Sequence, residues 1–232
     1  MVGKIRTFID KKQFREWNEY MSRKFDPDLF YAYPNILVRA LEKERLKCIL
    51  RFLNLGRNDV ILDLGCGSGK LFEKVNTNRV IGIDISDYLL NKAKTRIKYI
   101  LKAEGDSLPF KNGSFNKIIC SEVIEHLLNP EIVLKEARRV LKKNGILIVT
   151  IPNEKNINFL KRLFIKPIRT KRKSDSCCYE IPKKMNEEWH LHGFDLFKFR
   201  NSIYEKFRVE KIRYLPFRVF PLRYVISCRQ IE

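Results

Sequence analysis

The chain has few of the features that mark a secreted or membrane-spanning protein. Its six cysteines include no C-x-x-C pair, so their spacing indicates neither a zinc site nor a disulfide framework. The first 17 residues alternate charged and apolar side chains and lack the continuous apolar core of a signal peptide. No later segment approaches the roughly 20 apolar residues of a membrane span. We therefore expect a reduced, cytoplasmic protein, with at most peripheral contact to a membrane.

Acidic residues are scarce relative to basic ones. The chain holds 47 Lys and Arg against 27 Asp and Glu, a net charge of +20. This excess favours an anionic partner, such as nucleic acid, acidic lipid or a phosphorylated substrate, without choosing among them. Residues 154–184 carry ten of the basic residues and three acids, which indicates a basic insertion. Most of the excess is spread over the rest of the chain, and a diffuse excess is weaker evidence for nucleic acid than one stripe.

The hydrophobic pattern predicts an α/β domain. With 232 residues, 44% of them hydrophobic, the chain can bury one sizeable core. Residues 11–54 have helical spacing, interrupted by a turn near Asp26 and Pro27 and ended by Gly56. In the second helix, Leu37, Ala40, Leu41, Ile49, Leu50 and Leu53 are expected on the apolar face. Beyond it, strands are expected at 60–64, 80–84, 99–103, 116–120 and 146–151, and helices at 70–75, 88–96 and 132–141.

Near the C-terminus, a helix is expected near 195–206, followed by two apolar runs at 207–215 and 220–228. These runs lie too close together for a parallel crossover, so they are expected to be antiparallel. The sequence predicts a Rossmann-like, doubly wound, mostly parallel seven-stranded sheet with helices on both faces and an antiparallel last strand. We divide the chain into a helical cap (1–56), a core (57–152), a basic insertion or lid (153–188) and the C-terminal part of the same domain (189–232).

A glycine-rich turn follows the first predicted strand, in the stretch VILDLGCGSGK at residues 60–70. Glycines at this place allow a tight turn and a close approach of the backbone to a ligand. The dinucleotide pattern G-x-G-x-x-G requires glycine where Lys70 stands, and the phosphate-binding pattern requires Ser or Thr where Leu71 stands. The stretch instead reads D-x-G-x-G-x-G, with Asp63 before the glycines.

This pattern resembles that of the class I S-adenosylmethionine-dependent methyltransferases, of the type similar to ubiquinone O-methyltransferases. Three later blocks support the resemblance: VIGIDIS, EGDSLPFKNGSFNKIIC and ARRVLKKNGILIV. The resemblance implies S-adenosylmethionine as cofactor. It assigns Asp63, Gly65, Gly67 and Gly69 to the methionine end, Asp84 to the ribose, Asp106 and Ser107 to the adenine, and Glu122 to the cofactor's flank.

The acceptor side is expected after the fourth strand, where Glu122, Glu125 and His126 form E-x-x-E-H. If this segment is helical, the three side chains share a face, and two carboxylates with an imidazole could ligate a divalent cation. A later stretch adds His190 and His192. We expect His126, with His190 or His192, to handle the acceptor, and Glu122, Glu125, His126 and His192 to form a metal site if one exists. The alternative is that these groups only line the pocket, as in relatives with small-molecule substrates.

The sequence leaves the acceptor open. The first expectation is O-methylation of a small or lipid-like molecule by in-line transfer. The second is a metal-assisted RNA 2′-O-methyltransferase, and the third a non-catalytic module that holds nucleic acid or membrane. The E-x-x-E-H motif with a later histidine resembles the metal site of small-RNA 3′-terminal 2′-O-methyltransferases, which have F-E-W after their histidines. Here Phe194, Asp195 and Leu196 stand at that place, which disfavours RNA. The amphipathic basic pattern of residues 157–173 suits a lid, an anionic membrane surface or, less well, nucleic acid. Oligomeric state is not predicted.

Overall fold

The computed structural model describes residues 10–75, 78–164 and 189–231. Most of the predicted basic insertion, residues 165–188, therefore lies outside the described residues, and only its first helix is seen. Within the described part, no helix is both long and apolar enough to cross a membrane.

Seven helices and seven strands are seen in the described part of the chain. The helices are α1 (Lys11–Lys24), α2 (Asp28–Tyr31), α3 (Ile36–Leu53), α4 (Asp87–Ala93), α5 (Pro130–Val140), α6 (Glu154–Phe164) and α7 (Leu196–Ile203). The strands are β1 (Ile61–Leu64), β2 (Val80–Asp84), β3 (Tyr99–Lys102), β4 (Phe115–Ser121), β5 (Leu141–Pro152), β6 (Phe207–Pro216) and β7 (Pro221–Gln230).

The strands form one sheet in the order β3-β2-β1-β4-β5-β7-β6. Strands β1 to β5 pair in parallel, whereas β7 is antiparallel to both β5 and β6. The predicted seven-stranded, mostly parallel sheet with an antiparallel end is confirmed. The strand order reverses between β1 and β4, and in open α/β sheets ligands bind outside the carboxyl ends of the strands at such a point.

Apolar residues alternate between two cores, one on each side of the sheet. Helices α5 and α7 pack on one side, where Leu134 and Phe199 are buried. Helices α3 and α4 pack on the other, where Ile49 and Leu90 are buried. Removing such side chains from water stabilises the fold by about 1.5–3 kcal/mol each. Helices on both faces are thereby confirmed.

Local differences from the predicted elements have simple physical reasons. Residues Lys70–Phe72 form a 3₁₀ turn rather than a helix, because a segment of six residues is too short to nucleate an α-helix by itself. Leu37 and Ala40, expected on the apolar face of α3, are exposed; the buried residues of that helix begin at Glu42. Helix α4 begins one residue earlier than predicted, at Asp87, where Ser86 Oγ accepts a hydrogen bond from Leu89 N.

Candidate active site

A large cavity opens at the carboxyl ends of β1, β2 and β4. Its floor is the glycine loop after β1, one wall is formed by the loops after β2 and β3, and another by the segment after β4. Helices α1 to α3 and the start of β7 close it from above. The sequence-predicted residues that line it are Asp63, Gly65, Gly67, Asp84, Asp106, Glu122, Glu125, His126 and His190.

The glycine loop has a backbone that other residues rarely adopt. Gly65, Gly67 and Gly69 have φ of +72°, +53° and +75°. A Cβ atom on Gly65 would lie 2.4 Å from Cγ2 of Val123, so the loop packs directly against the segment after β4. The glycines therefore bring the predicted cofactor seat and the predicted acceptor residues into contact. Gly69 itself does not line the cavity; it begins the 3₁₀ turn.

Two carboxylates lie at the ends of β1 and β2. Asp84 accepts hydrogen bonds from Gly67 N and Ser86 N, both at 2.9 Å. A carboxylate has about four lone-pair sites, so Asp84 retains capacity for a ribose diol. Asp63 is buried beside it, and burial together with the charge of Asp84 raises the pKa of Asp63 to about 7. Burial also raises the pKa of Asp84.

The side of the cavity that is predicted to bind adenine is bordered by Asp106 and by helix α1. Asp106 Oδ2 lies 2.9 Å from Nζ of Lys11, while Asp106 Oδ1 is buried with no hydrogen-bond partner among the described residues. A buried acceptor without a donor fits the amino group of an adenine. Ser107, predicted to flank the ring, is exposed and does not line the cavity.

Glu125, His126 and His190 meet on the acceptor side. One potential ligand atom from each lies within 4.8 Å of the other two. Glu125 is fully buried, and neither of its carboxyl oxygens has a hydrogen-bond partner in the described part of the chain. Nδ1 of His126 lies 3.1 Å from the Trp189 carbonyl oxygen, and Nδ1 of His190 lies 2.9 Å from Glu154 Oε1. Since these oxygens accept, each Nδ1 carries a proton.

Burial sets the charge of this cluster. It lowers the pKa of His126 to about 3, so the ring is neutral. Burial and the nearby charge of Glu122 raise the pKa of Glu125 to about 8, so its carboxyl group is protonated near neutral pH. Removing a charged group from water disfavours its charged form, and both groups follow that rule.

His192 lies apart from this cluster. Its Nε2 donates to the carbonyl oxygen of Leu127 at 2.8 Å, and it does not line the cavity. The backbone explains the difference, because Leu191 N and His192 N both donate to the carbonyl oxygen of Glu125. That turn directs His190, and not His192, toward Glu125 and His126.

Glu122 belongs to a buried ionic network rather than to the histidine cluster. Its carboxylate accepts a hydrogen bond from Thr150 Oγ1 at 2.8 Å and lies 3.3 Å from Arg223 Nη1. Arg223 also donates to Glu42 Oε1 at 2.6 Å, and Glu42 pairs with Arg45 at 2.9 Å. Glu122 has a φ of +55°, a backbone strain that functional sites often contain.

The network extends from helix α3 into the cavity. Arg45 donates to Ser121 Oγ at the end of β4 and to the hydroxyl of Tyr31, 2.9 Å away. Both arginines, Glu42 and Tyr31 line the cavity. None of these four residues was among the predicted site residues. One signal was available for Arg45, because it occupies the apolar stripe of α3, four residues after Leu41.

Comparison with known proteins identifies the kind of domain that carries this cavity. Residues 62–149 match the family model described as a methyltransferase domain. The chain is 30% identical over 158 residues to an uncharacterised protein of Methanocaldococcus jannaschii, which covers 68% of this chain and 59% of that protein. It is 26% identical over 159 residues to a ubiquinone biosynthesis O-methyltransferase of Pelagibacter ubique, covering 63% of this chain and 66% of that protein.

A solved structure supports the fold. Magnesium protoporphyrin IX methyltransferase of Synechocystis, crystallised with bound SAH, superposes with a TM-score of 0.67 at 15% identity and covers 96% of this chain and 100% of that one. The chain spans about three fifths of the length of two of the Methanocaldococcus jannaschii relatives that it matches. The chain thus carries a methyltransferase domain over residues 62–149 and has the fold of S-adenosylmethionine-dependent methyltransferases.

Proposed function

We propose that this protein transfers the methyl group of S-adenosylmethionine to a hydroxyl oxygen of a small or lipid-like acceptor. The observation that carries the proposal is that one cavity joins two sets of residues. It runs from Asp84 and Asp106 on the cofactor side to Glu125, His126 and His190 on the other. A donor seated on the first set would place its sulfonium methyl group toward the second.

The reaction balances with groups of this chain. The acceptor oxygen attacks the methyl carbon, the bond from sulfur to that carbon breaks, and S-adenosylhomocysteine leaves. The hydroxyl proton passes to a base. His190 is the better base, because Glu154 holds its Nδ1 proton and orients the ring. The depressed pKa of His126 makes that ring a weaker base, so we assign it a positioning role.

The walls of the cavity favour an acceptor with apolar parts. Phe14, Phe25 and Leu46 enter it from the helical cap, and Leu127 and Trp189 from the acceptor side. Pockets of this kind bury the apolar body of a ligand and orient it through a few polar groups. One relative is named as a ubiquinone biosynthesis O-methyltransferase, and that name is consistent with an acceptor of this kind.

A metal-assisted form of the same reaction is favoured by one observation. The two unpartnered oxygens of buried Glu125 fit a cation, with His126 and His190 as the other ligands. The contacts of both Nδ1 atoms match the outer hydrogen bonds that orient metal-bound histidines. A divalent cation bound there would lower the pKa of a coordinated hydroxyl group. These three candidate ligands include His190 where the sequence predicted His192. Glu122, the fourth predicted ligand, is instead paired with Arg223.

Neither alternative gains support from the site. RNA methylation would call for a phosphate-binding groove that leads to the cavity, whereas Phe14, Phe25, Leu46, Leu127 and Trp189 give the cavity apolar walls. A non-catalytic module would not require the orphaned Asp106 Oδ1 or the Glu125 carboxyl group. We therefore favour an enzyme that acts on a small or lipid-like acceptor, and we expect it to be cytoplasmic.

The proposal is tested by methyl transfer from labelled S-adenosylmethionine into fractionated cell extract. We expect the label in the small-molecule or lipid fraction, with loss of about a hundredfold or more on His190→Gln, the typical contribution of a general base. His192→Gln serves as the matched control and should retain activity. Label in RNA or protein, or equal activity of both variants, would refute the acceptor assignment. Failure to bind S-adenosylhomocysteine would refute the enzyme itself.

A further inference from the structure

The turn between β6 and β7 exposes large apolar side chains. Phe217 is 71% exposed and Val219 is 97% exposed. Beside them, Phe159 on α6 is 52% exposed, and its ring centroid lies 5.9 Å from that of Phe220. Single exposed apolar residues are ordinary, but a contiguous group marks an interaction site. Two of these residues stand at the tip of one turn, with a third next to them.

The turn is fixed in place near the cavity. Asn153 N donates to Leu222 O at 2.7 Å, and Asn156 Nδ2 donates to Pro221 O at 2.8 Å. Arg223, which lines the cavity, follows Val219 by four residues. At about 3.3 Å per residue in an extended strand, the tip stands roughly 13 Å from the cavity wall. The apolar tip and the active site thus share one end of the sheet.

Cations surround the apolar side chains. Residues 211–222 contain three Lys or Arg and no acidic residue. Arg218, at the tip itself, is exposed, with its guanidinium carbon 5.8 Å from the ring centroid of Tyr214. Helix α6 adds exposed Arg162 and exposed Lys155, whose Nζ lies 3.7 Å from Asp195 Oδ2. The acid next to Lys155 in sequence, Glu154, is turned inward to His190.

We propose that the tip, defined as Phe217 to Phe220 with Phe159, docks on an anionic lipid bilayer. Apolar side chains that enter the acyl boundary, with Arg and Lys held at the headgroups, are the pattern of interfacial binding. The net charge of +20 complements such a surface. Docking in this orientation sets the cavity against the membrane, where a lipid-like acceptor can enter. The binding itself does not depend on the identity of the acceptor.

The test is sedimentation of the full chain with vesicles of phosphatidylcholine, with and without phosphatidylglycerol. We expect binding only to the anionic vesicles, and weakening with added salt. Phe217→Ser with Val219→Ser should weaken it about tenfold or more, since each side chain contributes the transfer of its apolar surface. Arg218→Ala should weaken it roughly fivefold, the share of one cation near an anionic surface.

Phe197→Ser is the matched control, because Phe197 on α7 is 73% exposed and lies outside the tip. It should bind like the parent chain. Unchanged S-adenosylhomocysteine binding would establish that the variants are folded. If the double variant is not folded, the test is repeated with Val219→Ser alone. Equal binding by the double variant would overturn the proposal. So would an absence of vesicle binding, a dimer that the double variant abolishes, or preferential binding of the tip to duplex nucleic acid.

Discussion

Lys11 Nζ lies 2.9 Å from Oδ2 of Asp106, and the same amine lies 3.0 Å from Glu104. Helix α1 is thereby attached to the loop that the family resemblance assigns to adenine. Arg15 makes a further ion pair with Glu104. If adenine binds beside Asp106, these pairs hold the helical cap against its site, and we expect them to slow cofactor exchange.

Lys11→Ala should therefore speed cofactor release with little effect on stability. Exposed ion pairs stabilise a fold by about 0–1 kcal/mol, so the free energy of unfolding should fall by no more than that. We expect S-adenosylhomocysteine to dissociate several-fold faster in a displacement experiment followed by stopped flow. Lys12→Ala, at an exposed neighbouring position, is the control. Equal dissociation rates in both variants would show that α1 does not limit release.

Asp84→Ala should weaken binding of S-adenosylhomocysteine. A hydrogen bond to a charged group contributes about 1.5–3 kcal/mol, so titration calorimetry should give a loss of more than tenfold. Asp84 also accepts from Gly67 N and Ser86 N, so part of the loss comes from the glycine loop. Asp84→Asn separates the two effects, because its amide oxygen can still accept one backbone bond. Unchanged affinity in the Ala variant would contradict the ribose assignment.

The pKa of Asp63 predicts a pH dependence of stability in the cofactor-free protein. Its pKa is about 7 in the folded state and 3.8 as its ordinary value, so folding favours the protonated form. The stabilisation is complete below about pH 4 and is lost as pH rises through 7. Three pKa units correspond to about 4 kcal/mol. Urea unfolding at pH 5 and pH 8 should show a drop that Asp63→Asn removes; parallel pH profiles for both proteins would contradict it.

We expect a cation bound at the histidine cluster to be lost when Glu125 is replaced. We expect Mn²⁺ to bind the protein, and Glu125→Gln to weaken binding by at least tenfold, because the variant removes the only carboxylate of the cluster. His192→Gln is the control, since His192 contacts Leu127 instead. Equilibrium dialysis, read by electron paramagnetic resonance of free Mn²⁺, measures both. Full activity in excess chelator, with no Mn²⁺ retained, would leave His190 as the base without a metal.

The order of strands and helices was predictable because apolar runs and helical spacing alternate in the sequence. Strand β2 begins and ends where expected, at Val80 and Asp84, since its apolar run is bounded by polar residues. The start of β5 at Leu141 was not predicted. Asn144, at a φ of +61°, lets the chain bend within that strand, a local effect that apolar periodicity does not record.

The site was predictable only where it depends on local motifs. The glycine loop and Asp84 follow from spacing, whereas the choice between His190 and His192 depends on a backbone turn held by Glu125 O. The contact of Arg223 with Glu42 joins residues 181 positions apart. A charge in an apolar stripe signals that a buried partner exists, but it does not identify which distant residue provides it.

That contact gives the sharpest stability prediction. Arg223→Met would leave the carboxylates of Glu42 and Glu122 near each other with one fewer cation. Breaking a buried pair from one side costs about 3–5 kcal/mol, so urea unfolding at pH 8 should show a loss of that order. Arg229→Met is the matched control on the same strand. Arg229 pairs with Glu210 in a more exposed position, so its loss should cost about 0–1 kcal/mol.

The pH dependence of this difference separates charge from packing. Arg223 and Arg45 lower the pKa of Glu122 in the folded state, so its contribution is present above the ordinary carboxyl pKa and is lost as pH falls through the lowered value. In Arg223→Met the carboxylate has lost part of that support, so the cost of the variant should shrink as the solution is acidified. A cost that stays constant from pH 8 to pH 4 would mean that Arg223 stabilises the fold through packing of its aliphatic stem rather than through charge.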